Sequence, residues 1–362
     1  MAYKAILVGL GSWGQWWCQH FLPPNVADGT IEVVAVCDRN PETHAFAREH
    51  LHLTEAQCFT NAEEAFRNCP ADFCINVVNP AYHEEIVDLA IRYGLHILSE
   101  KPIADTLEGA VRIAEKVRRS GLKMAVTMSH RFDQDKTTLR QELRSGDWGE
   151  LDYLVTRFTC DCRKYGSWGD FRHEMDHPLM LEGSVHHLDI LADLAGAKCK
   201  TIYAQTWRPS WGEFHGDCNA LVTMTFENGV KAMYEGAKTN AVTLNWWSHE
   251  YFRAECKGGT LILNQRQLEV LPYDPEKTIA RAEEGDGNPI PLIEQPKWAN
   301  TWLIQQFTDW LSGGPAMETN VEDNLQSVAH VFAAIESART GEVIHVQEFL
   351  EKTRAAVLST NF

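Results

Sequence analysis

Six residues near the start of the chain, Gly9-Leu10-Gly11-Ser12-Trp13-Gly14, constrain its fold more than any other stretch. They follow an apolar run, Ala5-Ile6-Leu7-Val8, that reads as a strand, and so place G-x-G-x-x-G at a strand exit. Glycines at these spacings permit a tight turn, close backbone approach to a pyrophosphate, and close packing of the next helix on the strand. The N–H groups that open that helix, around Ser12 and Trp13, can hold phosphate oxygens. A second run, Ile31-Glu32-Val33-Val34-Ala35-Val36-Cys37, ends in Asp38, where an acid can accept hydrogen bonds from an adenosine ribose. Strand, loop, helix and acid together predict a dinucleotide site of Gly9, Gly11, Ser12, Trp13, Gly14 and Asp38; the glycine motif alone would also fit a plain turn. The Asp38 carboxylate would repel a 2′-phosphate, so NAD is expected ahead of NADP. Arg39 is the counter-argument, because it could pair with that phosphate if Asp38 swung away.

The chain of 362 residues is long enough for about two domains and a large core without disulfide staples. Its net charge of −17 argues against nucleic acid or an anionic membrane surface as a partner and reads as solubility. Met1-Ala2-Tyr3-Lys4 leads straight into the first strand, and no apolar run approaches a membrane span. Several of the ten cysteines lie in apolar strand-like runs and read as small buried hydrophobes, so a reducing cytoplasm is the expected setting.

Up to about residue 125 the chain alternates strand and helix. Helices are expected from Asn40-Pro41 to His50, from Ala81 to Tyr93 and from Thr106 to Arg119. Strands are expected at Asp72–Val78, His96–Ser99 and Lys123–Met128. Repeated βα units imply a parallel, doubly wound sheet. From 126 to 362 the rhythm changes. A strand at Leu151–Thr159 precedes a polar, aromatic loop from Cys160 to Pro178 and a helix from about Leu179 to Leu194. Alternating runs at Ile202–Trp207, Ala220–Phe226, Val230–Tyr234, Tyr251–Cys256, Thr260–Leu263 and Leu268–Leu271 predict a large, open, mostly antiparallel sheet. A long polar loop, Asp274–Pro296, and helices at Thr301–Leu311, Val321–Thr340 and Phe349–Ser359 close the chain. The fold class is therefore α/β: residues 1–125 for the dinucleotide, and 126–362 for substrate and oligomerisation.

Two constellations carry candidate chemistry. Glu100-Lys101-Pro102 follows a parallel strand, on the side where open α/β sheets bind ligands. Pro102 restricts Lys101 to extended backbone, and a lysine there could bind a substrate hydroxyl and lower its pKa; a solvated loop lysine is the competing reading. In Glu182-Gly183-Ser184-Val185-His186-His187-Leu188-Asp189, residues Glu182, His186 and Asp189 share one helix face while His187 points elsewhere. Removing a carbinol proton needs a base, and imidazole titrates in the right range; Glu182 could tune His186 or hold a hydroxyl. A helix with satisfied polar side chains is the alternative. The surrounding His173, His177 and acids invite a metal reading, but no zinc spacing and no H-E-x-x-H is present, so no metal is expected. Dense polar groups also suit a sugar-sized ligand. The loop Arg163-Lys164-Tyr165-Gly166-Ser167-Trp168-Gly169-Asp170-Phe171-Arg172 sets charged groups beside aromatics, an arrangement for stacking on a polyol or for a packed tryptophan. Trp246-Trp247 reads as core or subunit interface.

Together these elements resemble the glucose-fructose oxidoreductase, inositol dehydrogenase and rhizopine-catabolism family, Gfo/Idh/MocA, over nearly the whole chain. The resemblance runs through Gly9-x-Gly11-x-x-Gly14, Asp38, Val78-Asn79-Pro80-x-x-His83, Glu100-Lys101-Pro102, Ser129-His130-Arg131-Phe132-Asp133 and Glu182-x-x-x-His186-x-x-Asp189. It implies a Rossmann domain followed by an α/β domain with an open sheet, and NAD- or NADP-dependent oxidation or reduction of sugars, inositols and related polyols. By the same resemblance Val78, Asn79, His83, Glu100 and Lys101 join the cofactor site, and Lys101 and His186 take the catalytic positions with Glu182. Substrate would meet Lys101, Arg131, Arg163, Trp168, Glu182 and His186. The family's aspartate four residues before the histidine is Glu182 here, its glycine two before is Ser184, and its Arg-Arg-Phe or Asn-Arg-Phe is His130-Arg131-Phe132. The expected function is a sugar or polyol dehydrogenase forming a homodimer or homotetramer. An NAD-dependent glycosidase and a non-catalytic dinucleotide-binding regulator are the alternatives. The enzymatic reading requires an imidazole and an ammonium from distant parts of the chain to serve one reactive ring.

Overall fold

A computed structural model describes residues 2–283 and 285–360. The chain divides into two compact units. The first comprises residues up to 129, 297–328 and those from 353 on; the second comprises 130–296 and 329–352. The first unit thus reclaims late helices that a single cut at 125 would have assigned to the second. The helix Ala299–Leu311 explains why. Its Phe307 lies edge-on to Phe73, with ring centroids 5.3 Å apart, and just ahead of it Lys297 Nζ donates to Asn25 Oδ1 at 2.7 Å.

Six parallel strands make the first sheet: β1 (Tyr3–Val8), β2 (Ile31–Cys37), β3 (Cys58–Phe59), β4 (Phe73–Asn76), β5 (His96–Ser99) and β6 (Met124–Val126). Their order is β3-β2-β1-β4-β5-β6, so the chain reverses direction across the sheet between β1 and β4. Strands β1 and β4 are buried on both faces, as expected when helices cover a parallel sheet. The expected helices are present, with Thr106 accepting from Gly109 N to cap Leu107–Ser120. The two-residue β3 and the helix Ala62–Asn68 carry too little periodicity to be read in advance.

The second sheet has nine strands: β7 (Leu151–Thr159), β8 (Cys199–Trp207), β9 (Asn219–Phe226), β10 (Lys231–Ala237), β11 (Tyr251–Cys256), β12 (Gly259–Asn264), β13 (Gln267–Pro272), β14 (Asn288–Ile290) and β15 (Ile344–His345). Their order is β14-β13-β12-β11-β7-β10-β9-β8-β15, antiparallel except where β7 meets β10. Alternation sends Ile202, Ala204, Val222, Met224, Ala232 and Tyr234 inward, while Tyr203, Leu221 and Met233 stay on the open face. The buried face receives the helix Val185–Ala195. Two elements depart from the sequence reading. The loop Cys160–Pro178 contains a short helix, Asp170–Glu174, and a twelve-residue helix, Gln134–Ser145, fills a stretch too polar to show an apolar stripe.

Candidate active site

In the first unit the site is built from backbone. Gly9 has φ +101°, and a Cβ there would fall 2.6 Å from the Val77 carbonyl group. A Cβ on Gly14 would lie inside contact distance of the Gly9 carbonyl, so the turn and the close helix approach both require glycine. Around Gly11 the space is open: an added Cβ would meet nothing within 4 Å. That opening is where a phosphate can approach the loop. The helical stretch Ser12–Trp16 continues through a π turn, Trp17–Phe21, into Leu22–Ala27.

Asp38 fixes this loop from the tip of β2. Its Oδ2 accepts from Leu10 N at 2.6 Å and its Oδ1 from Asn40 N at 2.8 Å; each oxygen has a further lone pair for a ribose hydroxyl. A cleft of about 630 Å³ opens here, lined among others by Gly9, Gly11, Asp38, Val78, Asn79 and Tyr82. Its size suits a nucleotide. Arg39 sits over the Tyr82 ring at 4.9 Å and pairs with Glu85 at 3.4 Å. His83 stands apart from these lining residues: it is buried, its ring nitrogens face the Val78 and Ile103 carbonyls, and burial pushes its pKa down. Its place is beneath the cleft wall, supporting Val78.

At the exit of β5, Glu100 is a hub with two indole donors. Trp13 Nε1 donates to its Oε1 at 2.7 Å and Trp17 Nε1 to the same oxygen at 2.8 Å, while Asn300 Nδ2 lies 3.5 Å away. The backbone N–H of Lys101 donates to the other oxygen at 3.1 Å. Glu100 therefore ties the first helix to the segment carrying Lys101, and the Lys101–Pro102 peptide is cis. Trp17 and Asn300 were not foreseen, because nothing local marks either as a partner of Glu100.

In the second unit the site is built from side chains. Glu182 lies in a π turn, Leu179–Ser184, that runs into the helix Val185–Ala195 bearing His186, His187 and Asp189. Glu182 is nearly buried and pairs with Arg172 Nε at 3.1 Å. Asp189 takes the guanidinium of Arg131, with Nε donating to Oδ2 at 2.7 Å, and both are buried. Arg131 therefore sits in an internal ion pair in this structure. His187, the next residue on the helix, packs against Phe158 at 4.5 Å and Tyr234 at 5.4 Å, and burial pushes it down to about 4.

His186 is 4% exposed, its ring 4.2 Å from that of His130 and 5.8 Å from Trp247. Behind His130 lies Glu250, fully buried and held well below the usual carboxylate range; Lys136 Nζ donates to its Oε2 at 2.7 Å. Lys238 is also buried, its ammonium 3.6 Å from the Phe158 ring, 4.0 Å from Trp168 and 4.7 Å from Trp246. Burial pushes it down to about 8. Trp168 is thus packed against both Lys238 and Arg172, and is only 7% exposed. The exposed aromatics of its loop are Tyr165 and Phe171, while Arg163 Nε donates to the Thr239 carbonyl at 3.0 Å. Trp246 and Trp247 are walls of this cluster, as a core reading of the pair allows. Among the described residues, no group of three or more His, Cys, Asp or Glu is placed to hold a metal ion.

A Rossmann unit with a fitted phosphate loop, together with an α/β unit bearing a buried imidazole cluster, defines a dinucleotide-binding oxidoreductase architecture. The model for oxidoreductases with an NAD-binding Rossmann fold matches residues 3–128, and that for the C-terminal alpha/beta domain matches residues 140–346, so the chain belongs to the Gfo/Idh/MocA family. It is an NAD(P)-dependent oxidoreductase. It is 53% identical to the uncharacterized protein y4oX of Sinorhizobium fredii over 98% of both chains. It is 25% identical to a D-apiose dehydrogenase of Paraburkholderia graminis over 99% of this chain and 93% of that one. An Agrobacterium radiobacter oxidoreductase, solved with NAD+, L-tartaric acid and magnesium, shares the fold with a TM-score of 0.81. That match has 20% identity and covers 96% of this chain and 100% of the other. Among the described residues no helix is long and apolar enough to cross a membrane.

Proposed function

We propose that the protein transfers a hydride between NAD and a secondary hydroxyl or carbonyl carbon of a sugar, inositol or related polyol. The observation that carries this reading is His186, an imidazole held by neighbouring rings on a helix whose Asp189, like Glu182 in the turn before it, engages an arginine. The D-apiose dehydrogenase likeness over nearly the full chain supports the substrate class.

When bound, the nicotinamide supplies the hydride-accepting ring. The glycine loop and Asp38 would hold the pyrophosphate and adenosine ribose, with Val78 and Asn79 lining the cleft. His186 takes the hydroxyl proton during oxidation and returns it during reduction, and the Lys101 ammonium is the group to stabilise developing alkoxide charge. Glu182 and Arg172 present paired charges to the substrate's remaining hydroxyls, Arg131 is held in its internal pair with Asp189, and Arg163 and Trp168 shape the loop. NAD is favoured over NADP because the Asp38 carboxylate would repel a 2′-phosphate, while Arg39 is engaged with Glu85 and Tyr82. The open sheet face bearing Tyr203, Leu221 and Met233 fits a second copy of the chain, which sedimentation would report as a dimer or tetramer.

The test is His186→Ala against a panel of sugars, inositols and sugar acids, followed by nicotinamide absorbance. The chemical step should fall by about 10²–10⁴-fold with dinucleotide affinity intact. Undiminished turnover in the variant would remove His186 from the mechanism.

A further inference from the structure

Two cations line the dinucleotide cleft among the described residues, and carboxylates of the same cleft engage both. Arg92 Nη1 lies 3.3 Å from Glu63 Oε1, and Arg39 Nη2 lies 3.4 Å from Glu85 Oε2. A further acid of the lining, Asp88, pairs with Lys116 at 2.7 Å. Asp38 is held by main chain instead: its two oxygens accept from the N–H groups of Leu10 and Asn40, which fix it at the exit of β2.

Arg39, the residue after Asp38, has two kinds of contact. Its guanidinium carbon lies over the Tyr82 ring, 4.9 Å from the centroid, and its Nη2 faces Glu85. A guanidinium over a ring keeps its N–H donors for an anion, because the ring attracts the cation without accepting from those donors. Tyr82 therefore keeps the cation in the cleft, and Glu85 is the anion on its donors. The two partners come from adjoining elements, Tyr82 from the turn Pro80–Tyr82 and Glu85 from the first turn of the helix His83–Arg92.

We infer that Glu85 is a specificity-determining residue for the dinucleotide: it occupies the donors of Arg39 and so denies a 2′-phosphate the cation next to Asp38. This rests on the reading that NAD is preferred, and it adds a second determinant to Asp38. The two act differently. Asp38 repels a 2′-phosphate, whereas Glu85 withholds an attraction. Both oxygens of Asp38 are anchored, so Arg39 is released by breaking the Glu85 contact and not by moving Asp38. With Glu85 in place, a phosphate that takes Arg39 leaves a carboxylate unpaired beside it. Without Glu85, the donors are open from the start. Both members of the pair are exposed to solvent, which sets the expected effect at severalfold.

Calorimetric titration of the full-length protein with NAD+ and with NADP+ tests this in wild type, Glu85→Ala, Arg39→Gln and the double variant. Glu85 is exposed on a helix, where alanine is well tolerated. In Glu85→Ala the affinity for NADP+ relative to NAD+ should rise about fivefold. In the Arg39→Gln background the same substitution should leave that ratio within about twofold, because no guanidinium is there to release. A ratio unmoved by Glu85→Ala overturns the proposal. So does a rise that survives in the double variant, which would make Glu85 a source of plain charge repulsion.

The wild-type titration judges the reading beneath. Tighter binding of NADP+ than of NAD+ by wild type overturns the preference for NAD, whereas the Glu85 effect is decided by the change in ratio and its dependence on Arg39.

Discussion

The two units carry their chemistry in different materials. In the first, the site is main chain: a glycine with positive φ, a glycine whose Cβ has no room, and carbonyl and N–H groups arranged by β1, β2 and β4. In the second, it is side chain: imidazoles, carboxylates and ammoniums buried among rings on elements far apart in sequence. A backbone site tolerates little change at few positions and leaves a motif. A side-chain site spreads its requirements over many positions and leaves almost none.

The sharpest way to break that contrast is Gly14→Ala. The added Cβ would collide with the Gly9 carbonyl, which cannot move without opening the turn. Loss of dinucleotide affinity by about 100-fold or more is expected, with the second unit's fold unchanged by circular dichroism. Retained affinity would mean that the loop does not need its close helix approach. Asp38→Ser comes next. It removes the carboxylate that accepts from Leu10 and Asn40 and would repel a 2′-phosphate. The ratio of Michaelis constants for NADP and NAD should move toward NADP by about tenfold or more. An unchanged ratio would take cofactor choice away from Asp38.

Glu100→Gln tests whether the first unit also depends on side chains. An amide cannot offer the two indoles of Trp13 and Trp17 the same charged acceptor while facing the Lys101 N–H with its other end. A stability loss of about 1–3 kcal/mol is expected, read as a lower thermal midpoint. The dinucleotide KM should rise a few-fold because Trp13 opens the phosphate-facing helix. A variant indistinguishable from wild type would leave the indole clamp without consequence.

How much could be read in advance follows the same division. Strands β2, β5 and β11 match their apolar runs, and the long helix Val321–Thr340 matches its periodicity, because local pattern and burial agree there. Glycine loop, Asp38 and the exit of β5 were legible because backbone geometry dictates residue type. Of the named side chains, His83 lies beneath the cleft wall, and Trp168 takes the packed position that was one of its two readings, since a sequence shows which rings and imidazoles exist but not which face they present. Glu250, Lys136 and Lys238 left no signal at all. A charged residue at a strand end or in a polar helix reads as solvated, and only long-range packing brings three of them indoors. His130 was visible as a departure from the Arg or Asn of the related motif, but its carboxylate partner lies 120 residues later.

Lys238 gives a direct test of what burial does in the second unit. Burial pushes its amine from the ordinary lysine value of 10.5 down to about 8, with Cys160 Sγ 3.6 Å away and aromatic rings around it. Between these values the unfolded chain holds the proton and the folded chain does not, so folding stability rises with pH across that window and is lowest below about 8. Lys238→Met keeps the length and removes the charge. The variant should gain about 1–3 kcal/mol over wild type at pH 7, and the gain should fade as pH rises toward 10. Thermal midpoints of both proteins from pH 7 to 10 measure it directly, and shared titrations cancel in the difference. A variant less stable than wild type at pH 7 would mean that the attraction of Phe158, Trp168 and Trp246 for the ammonium exceeds its desolvation cost. The buried charge would then be a source of stability in this unit, as the fitted backbone is in the other.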